Sequence, residues 1–344
     1  MIRVGVIGAG AVAEQGYLPA LAELPDATVT AVVDAAAERA REMASTYGAD
    51  TYATDHRAVL DAIDGAIVAT PPAFHAEIAG DCLEAGVHVL TEKPVATDVE
   101  AAEALVALAE DRGRHFAISR QQRDAPAVRA VRSVVETGGV GEPTSFVARY
   151  GDRTEWAFAS DYRVRSELSW GGALTDKGPH VLDVIAWLFR DRDLTVGRYA
   201  DDDLGGLEAN AVLELVDPDR PLSGTVEITA SRAIPNELTV VGTTATVSAD
   251  PNGEDATVTD HVTGERTRIT VDGDGHLVDY RARIANQTRH FVAALDGDPP
   301  SYVSAATGVA VIEWIEACYA DRDRLVEPWE RRHLDVAMEE RIDG

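Results

Sequence analysis

Lysine is nearly absent from this chain. Only Lys93 and Lys177 occur among 344 residues, and arginine supplies the other 29 of the 31 basic side chains. Cysteine is equally scarce: Cys82 and Cys318 both fall in apolar helical patterns, so they are expected to be buried small hydrophobes and not a disulfide or a metal pair. No Cys/His cluster has metal-ligand spacing, so no metal is expected. No apolar run approaches the roughly 20 residues that span a bilayer. The chain opens directly on a strand pattern, so no cleavable leader is expected and the cytoplasm is the expected compartment. Basic patches are missing as well. Neutralising phosphate takes clustered cations, which argues against nucleic acid and anionic membrane surfaces as partners.

What the chain does carry is acid. Asp and Glu number 59, and the formal net charge is −28. Such a charge makes a compact state repel itself unless salt screens it, and at 1 M salt the Debye length is about 3 Å. Acid excess without lysine is therefore expected of a protein working in the salt-rich cytoplasm of a halophile. A GC-rich genome would account for the missing lysine but not for the surplus carboxylates. Apolar residues make up 45% of the chain, ample for the two domains that its length suggests.

The first part of the chain alternates strand and helix signals. Strands are expected over Ile2–Ile7, Val29–Val33, Ala66–Ala69, Val87–Leu90 and His115–Ser119. Helical patterns over Ala11–Glu23, Ala35–Tyr47, Ala76–Glu84 and from Asp98 to Arg112 separate them. That alternation means βαβ units and a doubly wound parallel sheet. After about residue 123 the texture changes to successive strands divided by turn residues, with helices over His180–Leu188, Tyr280–Leu295 and Ala305–Tyr319. This predicts an α+β domain with a large, mostly antiparallel open sheet. The expected division is 1–122 and 123–344. The acidic stretches Asp250–Asp260 and Asp272–Gly275 read as solvated hairpin loops, with Ala256–Asp260 itself one of the strand-like runs.

Gly8-Ala9-Gly10-Ala11-Val12-Ala13 follows the first strand and opens the first helix. Gly8 suits a tight turn, Gly10 lets backbone approach a pyrophosphate, and Ala13 keeps helix and sheet close. The free N–H groups of the helix start then face the phosphates. Asp34 ends the second strand, where its carboxylate can accept hydrogen bonds from an adenosine ribose. This favours NAD, with NADP possible. Arg39 and Arg41 lie a turn or more into the next helix and are not expected to reach that site. Thr70-Pro71-Pro72, Glu92-Lys93-Pro94 and Arg120-Gln121-Gln122-Arg123 also fall at C-terminal ends of expected parallel strands, the edge at which open α/β sheets bind ligands. His75 is either cofactor-proximal or structural. Lys93 precedes a proline, which bars helical geometry and aims its side chain out of the sheet edge. Asp176 and His180 are spaced i, i+4, which places a carboxylate and an imidazole on one face of a continuous helix, with Asp183 on the same side. Lys177 lies between them.

Together these residues resemble the Gfo/Idh/MocA family (glucose–fructose oxidoreductase, inositol dehydrogenase, rhizopine catabolism). The similarity runs through Gly8-Ala9-Gly10, Ala69-Thr70-Pro71-Pro72 with His75, Ala85 to Pro94, and Gly171-Gly172 through Asp176, His180 and Asp183. The resemblance implies a Rossmann domain plus a large open sheet, NAD(P) as cofactor, a small polyhydroxylated substrate, and a homodimer or homotetramer formed through the C-terminal sheet. It maps the functional residues onto Lys93, Asp176 and His180. His180 is then the expected base for a sugar or cyclitol hydroxyl, Asp176 its orienting partner, and Lys93 the donor to the reacting oxygen. The cofactor set is expected to comprise Gly8, Gly10, Ala11, Val12, Ala13, Asp34, Thr70, Pro71, His75, Glu92 and Lys93. Arg120, Gln122, Trp170 and Lys177 are expected at the substrate. Trp170, in place of a small residue, and the charged Lys177 depart from the family pattern. A glycosidase that borrows a hydride from NAD, and a cofactor-binding regulator without turnover, are the alternatives on the same fold.

Overall fold

The structure, a computed structural model, describes residues 1–152, 165–202, 207–271 and 275–325. Strands β1 (Ile2–Ile7), β2 (Ala27–Val33), β3 (Thr51–Ala53), β4 (Gly65–Val68), β5 (His88–Thr91) and β6 (Phe116–Ile118) form a six-stranded sheet. Its order is β3-β2-β1-β4-β5-β6, with every pair parallel. Helices α1 (Leu18–Glu23), α2 (Ala37–Tyr47), α3 (His75–Glu84) and α4 (Val99–Asp111) are the crossovers. Strands covered on both faces read as continuous apolar runs, and β4 is buried at every position. Asp98 caps α4, its side chain accepting from Ala101 N, as its sequence position predicts.

The second unit starts with α5 (Pro126–Glu136) and β7 (Pro143–Gly151), followed by α6 (Ser166–Ser169), α7 (Ala173–Asp176) and α8 (Gly178–Leu188). Strands β8 (Thr195–Asp201), β9 (Asn210–Val216), β10 (Ser223–Thr229), β11 (Glu237–Gly242), β12 (Ala245–Ala249), β13 (Asp255–Asp260) and β14 (Arg266–Thr270) come next. Helices α9 (Tyr280–Leu295) and α10 (Val309–Ala320) and the short β15 (Asp323–Arg324) end the described chain. The nine-stranded sheet runs β14-β13-β12-β11-β7-β10-β9-β8-β15. Only β7/β10 and β8/β15 pair parallel. Alternate residues such as Phe146, Ala148, Leu213, Val226 and Val240 are buried, in one core with residues of α5, α8 and α10. Helix α9 crosses back to the first unit, where Ile284, Phe291 and Val292 share a core with Tyr17, Leu18 and Leu21.

The structure refines the local expectations. The helix expected over Ala11–Glu23 contains a π-turn, Ala13–Tyr17, before α1. Pro19 has no N–H for the carbonyl four residues back, and the wider turn accommodates that loss. Strands β3 and β8 carry no clear sequence signal: β3 is a three-residue edge, and the start of β8 is exposed. Within the first acidic stretch, the strand-like run from Ala256 is borne out as β13 (Asp255–Asp260), and the loop is confined to the residues before it. Asp272–Asp274 of the other lies outside the described residues.

Candidate active site

The glycine-rich turn is shaped by close approach. Gly8 has φ +97°, and a Cβ there would stand 2.5 Å from the Ala69 carbonyl oxygen. Glycine is thus required at this crossing. Gly10 has no atom within 4 Å of its would-be Cβ, and Gly10 and Ala11 are exposed. Ala13 is fully buried and lets the helix settle on the sheet, while Val12 is half-buried. Asp34 Oδ2 accepts from Ala9 N at 2.9 Å, and its Oδ1 accepts from Ala36 N at 2.9 Å. Each carboxylate oxygen keeps a second lone pair, so a ribose hydroxyl still finds an acceptor. Thr70 Oγ1, at the end of β4, is buried with no partner. An open backbone, an oriented acceptor and an orphaned hydroxyl at one sheet edge fit a dinucleotide.

Arg39 does reach this turn, against expectation. Its Nε donates to the Ala9 carbonyl at 2.9 Å, and its Nη2 lies 2.6 Å from Glu14 Oε2. The Ala9 peptide is therefore held at both ends, by Asp34 and by Arg39. His75 is structural in its contacts. It is fully buried, with Nδ1 2.6 Å from the Pro94 carbonyl and Nε2 2.8 Å from the Thr70 carbonyl. Burial lowers its pKa, against those two carbonyls, and a neutral ring donates to only one of them at a time. His75 so ties the loop after β4, which Pro71 enters, to the loop after β5. Glu92 is buried too, accepting from the Tyr17 hydroxyl at 2.6 Å and from Lys93 N at 3.2 Å.

Lys93 leaves the end of β5, and its peptide bond to Pro94 is cis. Its Nζ donates to the Asp176 carbonyl and lies 3.4 Å from Asp176 Oδ1. The first sheet thereby meets the second unit at its lysine. Asp176 and His180 are not on one continuous helix. Helix α7 stops at Asp176, Lys177 forms the junction, and α8 begins at Gly178. Pro179 cannot donate into the preceding turn, which breaks the helix between the two residues. His180 Nδ1 is buried without a hydrogen-bond partner, so no orienting bond from Asp176 is made through it. Burial above all, then the Lys93, Arg120 and Lys177 charges, push the His180 pKa well below its usual value; Asp176 opposes them. The imidazole is neutral at ordinary pH. It lines a small open cleft with Gln122, Tyr150, Val184 and Leu238.

Other expected substrate residues are spent on the scaffold. Arg120 is 2% exposed, its Nε 2.9 Å from Asp183 Oδ1, and Arg123 binds Asp183 through 2.7 and 2.6 Å contacts. Asp183 therefore anchors α8 and does not face the cleft. Lys177 is also buried, paired with Asp152 and 5.8 Å from the Tyr150 ring centre. Trp170 packs between the cores of the two units with φ +70°, a conformation that costs a bulky residue about 1–3 kcal/mol. Gln122 remains at the cleft, accepting from Arg283 Nη1 at 3.2 Å.

Glu208 has no sequence signal, yet it sets this geometry. It is 1% exposed and accepts from Gly172 N at 3.2 Å, Leu174 N at 2.8 Å and the Tyr319 hydroxyl at 3.0 Å. Its carboxylate thus holds the start of α7. A Cβ on Gly172 would fall 2.1 Å from the Glu208 carbonyl oxygen, and one on Gly171 would fall 2.2 Å from Tyr319 Oη. The glycine pair is explained by those two neighbours.

Comparison with known proteins agrees with this architecture. Residues 2–119 match the oxidoreductase family with an NAD-binding Rossmann fold, and residues 128–248 match the GFO/IDH/MocA C-terminal domain. A dTDP-3,4-didehydro-2,6-dideoxy-α-D-glucose 3-reductase of Actinomadura kijaniata is 34% identical over 57% of this chain and 63% of its own length. Levoglucosan dehydrogenase of Pseudarthrobacter phenanthrenivorans is 30% identical over 64% of this chain and 56% of its own length. Inositol 2-dehydrogenase of Corynebacterium glutamicum is 30% identical over 57% and 56%. The match thus spans between about half and two thirds of these relatives. In fold, a 3-ketoreductase from A. kijaniata in complex with NADP and TDP-benzene superposes with a TM-score of 0.79 at 24% identity, covering 94% of this chain and 98% of that one. A levoglucosan dehydrogenase in complex with NADH and levoglucosan gives 0.80 at 21%, covering 93% and 97%.

Proposed function

We propose that this chain, which belongs to the GFO/IDH/MocA oxidoreductase family, interconverts a hydroxyl and a carbonyl on a sugar, cyclitol or sugar derivative with NAD(P). One observation carries the reading. Lys93 from the first sheet lies close enough to His180 of α8 for its charge to favour the neutral imidazole, with Asp176 against the lysine. Gly10, Ala11, Asp34 and Thr70 would hold the dinucleotide, whose nicotinamide supplies the hydride acceptor when bound. In the oxidising direction the substrate hydroxyl gives its proton to His180. An imidazole kept neutral by burial and by neighbouring cations is free to accept it. Lys93 donates to the same oxygen and stabilises the negative charge that develops there. Asp176 acts through Lys93, fixing the ammonium with its carbonyl and carboxylate. Run in reverse, His180 returns the proton to the new alkoxide.

Several further points belong to this reading. The dinucleotide is NAD in preference to NADP, given the Asp34 carboxylate. The working medium is salt-rich, given the −28 charge. The dinucleotide domain ends near residue 122, and assembly proceeds through the open sheet. Turnover of a panel of aldoses, cyclitols and sugar nucleotides, followed as reduced cofactor at molar KCl, tests the function. Lys93→Ala and His180→Ala should each lower kcat by about 100-fold or more. Near-normal turnover of the true substrate in both variants would sink the assignment.

A further inference from the structure

Arg283 is a buried cation without a counter-ion among the described residues. It lies in the first turn of α9 and is 3% exposed. Its Nη1 donates to Gln122, and its buried Nε has no partner. The three other buried basic side chains among the described residues all have carboxylates: Arg120 with Asp183, Arg132 with Glu136 and Lys177 with Asp152. In so acidic a chain, an arginine that meets no described carboxylate within ion-pair distance is an exception. The position adds to the penalty. The first turn of a helix carries the positive end of its dipole, where a cation is disfavoured. Burial pulls the guanidinium below its ordinary pKa, and the Tyr150 and Tyr280 hydroxyls, Asp124 and Asp279 offset this only at longer range. A buried unpaired charge is strongly destabilising, and stability alone does not explain keeping one.

The surroundings indicate what the charge meets. Gln122, the hydrogen-bond partner of Arg283 among the described residues, lines the cleft with Tyr150 and His180. The Nε–Nη2 edge of the guanidinium, which binds a carboxylate side-on through two parallel bonds, is engaged by no described protein group. We propose that Arg283 binds a carboxylate carried by the substrate, so that the sugar oxidised here is an acidic one of the uronate or aldonate kind. This deepens the dehydrogenase reading and rests on it for the reaction. One free positive charge matches a monoanion. A phosphate dianion would call for a second cation, whereas Lys93, Lys177, Arg120 and Arg123 are already held by Asp176, Asp152 and Asp183. The −28 charge repels such a substrate at long range, and molar salt screens that field while leaving a buried contact intact.

The test uses the full chain loaded with NADH or NAD in molar KCl. Binding is read as a thermal shift, and oxidation as cofactor reduction. The probes are D-glucuronate and D-galacturonate, their neutral counterparts D-glucose and D-galactose, and glucose 6-phosphate. In the wild type the uronates should bind, and their kcat/KM should exceed that of the neutral sugars by about 100-fold. Arg283→Gln and the packing-conserving Arg283→Met should remove that preference through KM while changing neutral-sugar turnover less than about threefold, with Arg283→Lys restoring part of it. Wild-type protein that turns over neutral sugars but neither binds nor oxidises uronates overturns the role of Arg283 and leaves the dehydrogenase standing. Preference for glucose 6-phosphate, or uronate binding unchanged in both variants, also overturns it. Arg283-dependent uronate binding without oxidation by either cofactor upholds the carboxylate site and sinks the dehydrogenase reading instead.

Discussion

Glu208→Ala should damage the site from behind, without touching anything that meets substrate. Its carboxylate satisfies the N–H groups of Gly172 and Leu174 and the Tyr319 hydroxyl, all at a position 1% exposed. Truncation leaves these three donors buried and unpaired, at about 1–3 kcal/mol each. Part of that is offset, because burial already raises the Glu208 pKa and its charged form is itself disfavoured there. A net loss of about 2–4 kcal/mol follows, which for a chain of this size lowers Tm by about 4–10 °C. Helix α7 then loses its anchor, and α7 carries the Asp176 carbonyl that holds Lys93. Displacement of about 1 Å at a reacting group is worth about 100-fold, so kcat should fall by at least tenfold. Glu208→Gln separates hydrogen bonding from charge. Its amide oxygen, placed where Oε1 stands, keeps contacts to Leu174 N and Tyr319, so its Tm should stay within about 2 °C of wild type. Urea or thermal melts of both variants, alongside turnover, decide the matter. An alanine variant as stable as wild type, or a glutamine variant as damaged as the alanine one, would refute this account of the α7 anchor.

Cofactor choice should turn on Asp34 and Arg39. The wild-type ratio of kcat/KM should favour NAD, and Asp34→Ser should shift it towards NADP by at least about tenfold, since carboxylate–phosphate repulsion is on the order of several kcal/mol. Arg39→Ala in that background should undo the shift; a wild type that prefers NADP whatever stands at 34 refutes this. The acid limb of the kcat profile should lie well below pH 6.5, because burial and the surrounding cations depress the His180 pKa. Lys177→Gln removes one of those charges and should move the limb upward; a limb near 6.5 in both proteins refutes it. By linkage, a depressed histidine makes the unfolded chain the better proton binder, so stability should decline as pH falls through about 6.5 towards the folded pKa. Melting temperature should rise across a KCl series up to molar salt, and a flat series excludes dependence on screening.

The fold was legible where local chemistry and periodicity agree. Continuous apolar strands bounded by helix caps gave the six-stranded sheet apart from β3, whose three residues, two of them exposed, carry no pattern. The site was legible in part for the same reason. Gly8, Gly10 and Lys93 are set by turn and proline chemistry within a few residues of themselves. Glu208 and Arg283 were not legible, because their partners lie far along the chain: Gly172 is 36 residues from Glu208, and Gln122 is 161 residues from Arg283. Nothing near either residue marks it out. Arg39 was misjudged by a subtler route. Distance along the chain suggested no reach, yet the first turn of α2 projects its guanidinium back over the Ala9 peptide.

The lysines show where residue counting gives the right weight and the wrong contact. Two survive in a chain that uses arginine elsewhere, and each has its ammonium on an aspartate from another element: Lys93 on Asp176, and Lys177 on Asp152 beside the Tyr150 ring. A compact ammonium suits such narrow, partly buried seats, where a planar guanidinium would need more room and more acceptors. The i, i+4 spacing of Asp176 and His180 pointed to a carboxylate orienting an imidazole. Pro179 breaks that helix, and the carboxylate turns to Lys93 instead. The imidazole is then governed by burial first and charge second, and its buried Nδ1 has no hydrogen bond. Asp176 affects His180 in two opposite ways: directly it favours the protonated ring, and by holding Lys93 close it favours the neutral one. Burial is the larger cause of a neutral His180, and the Lys93 charge adds to it against Asp176.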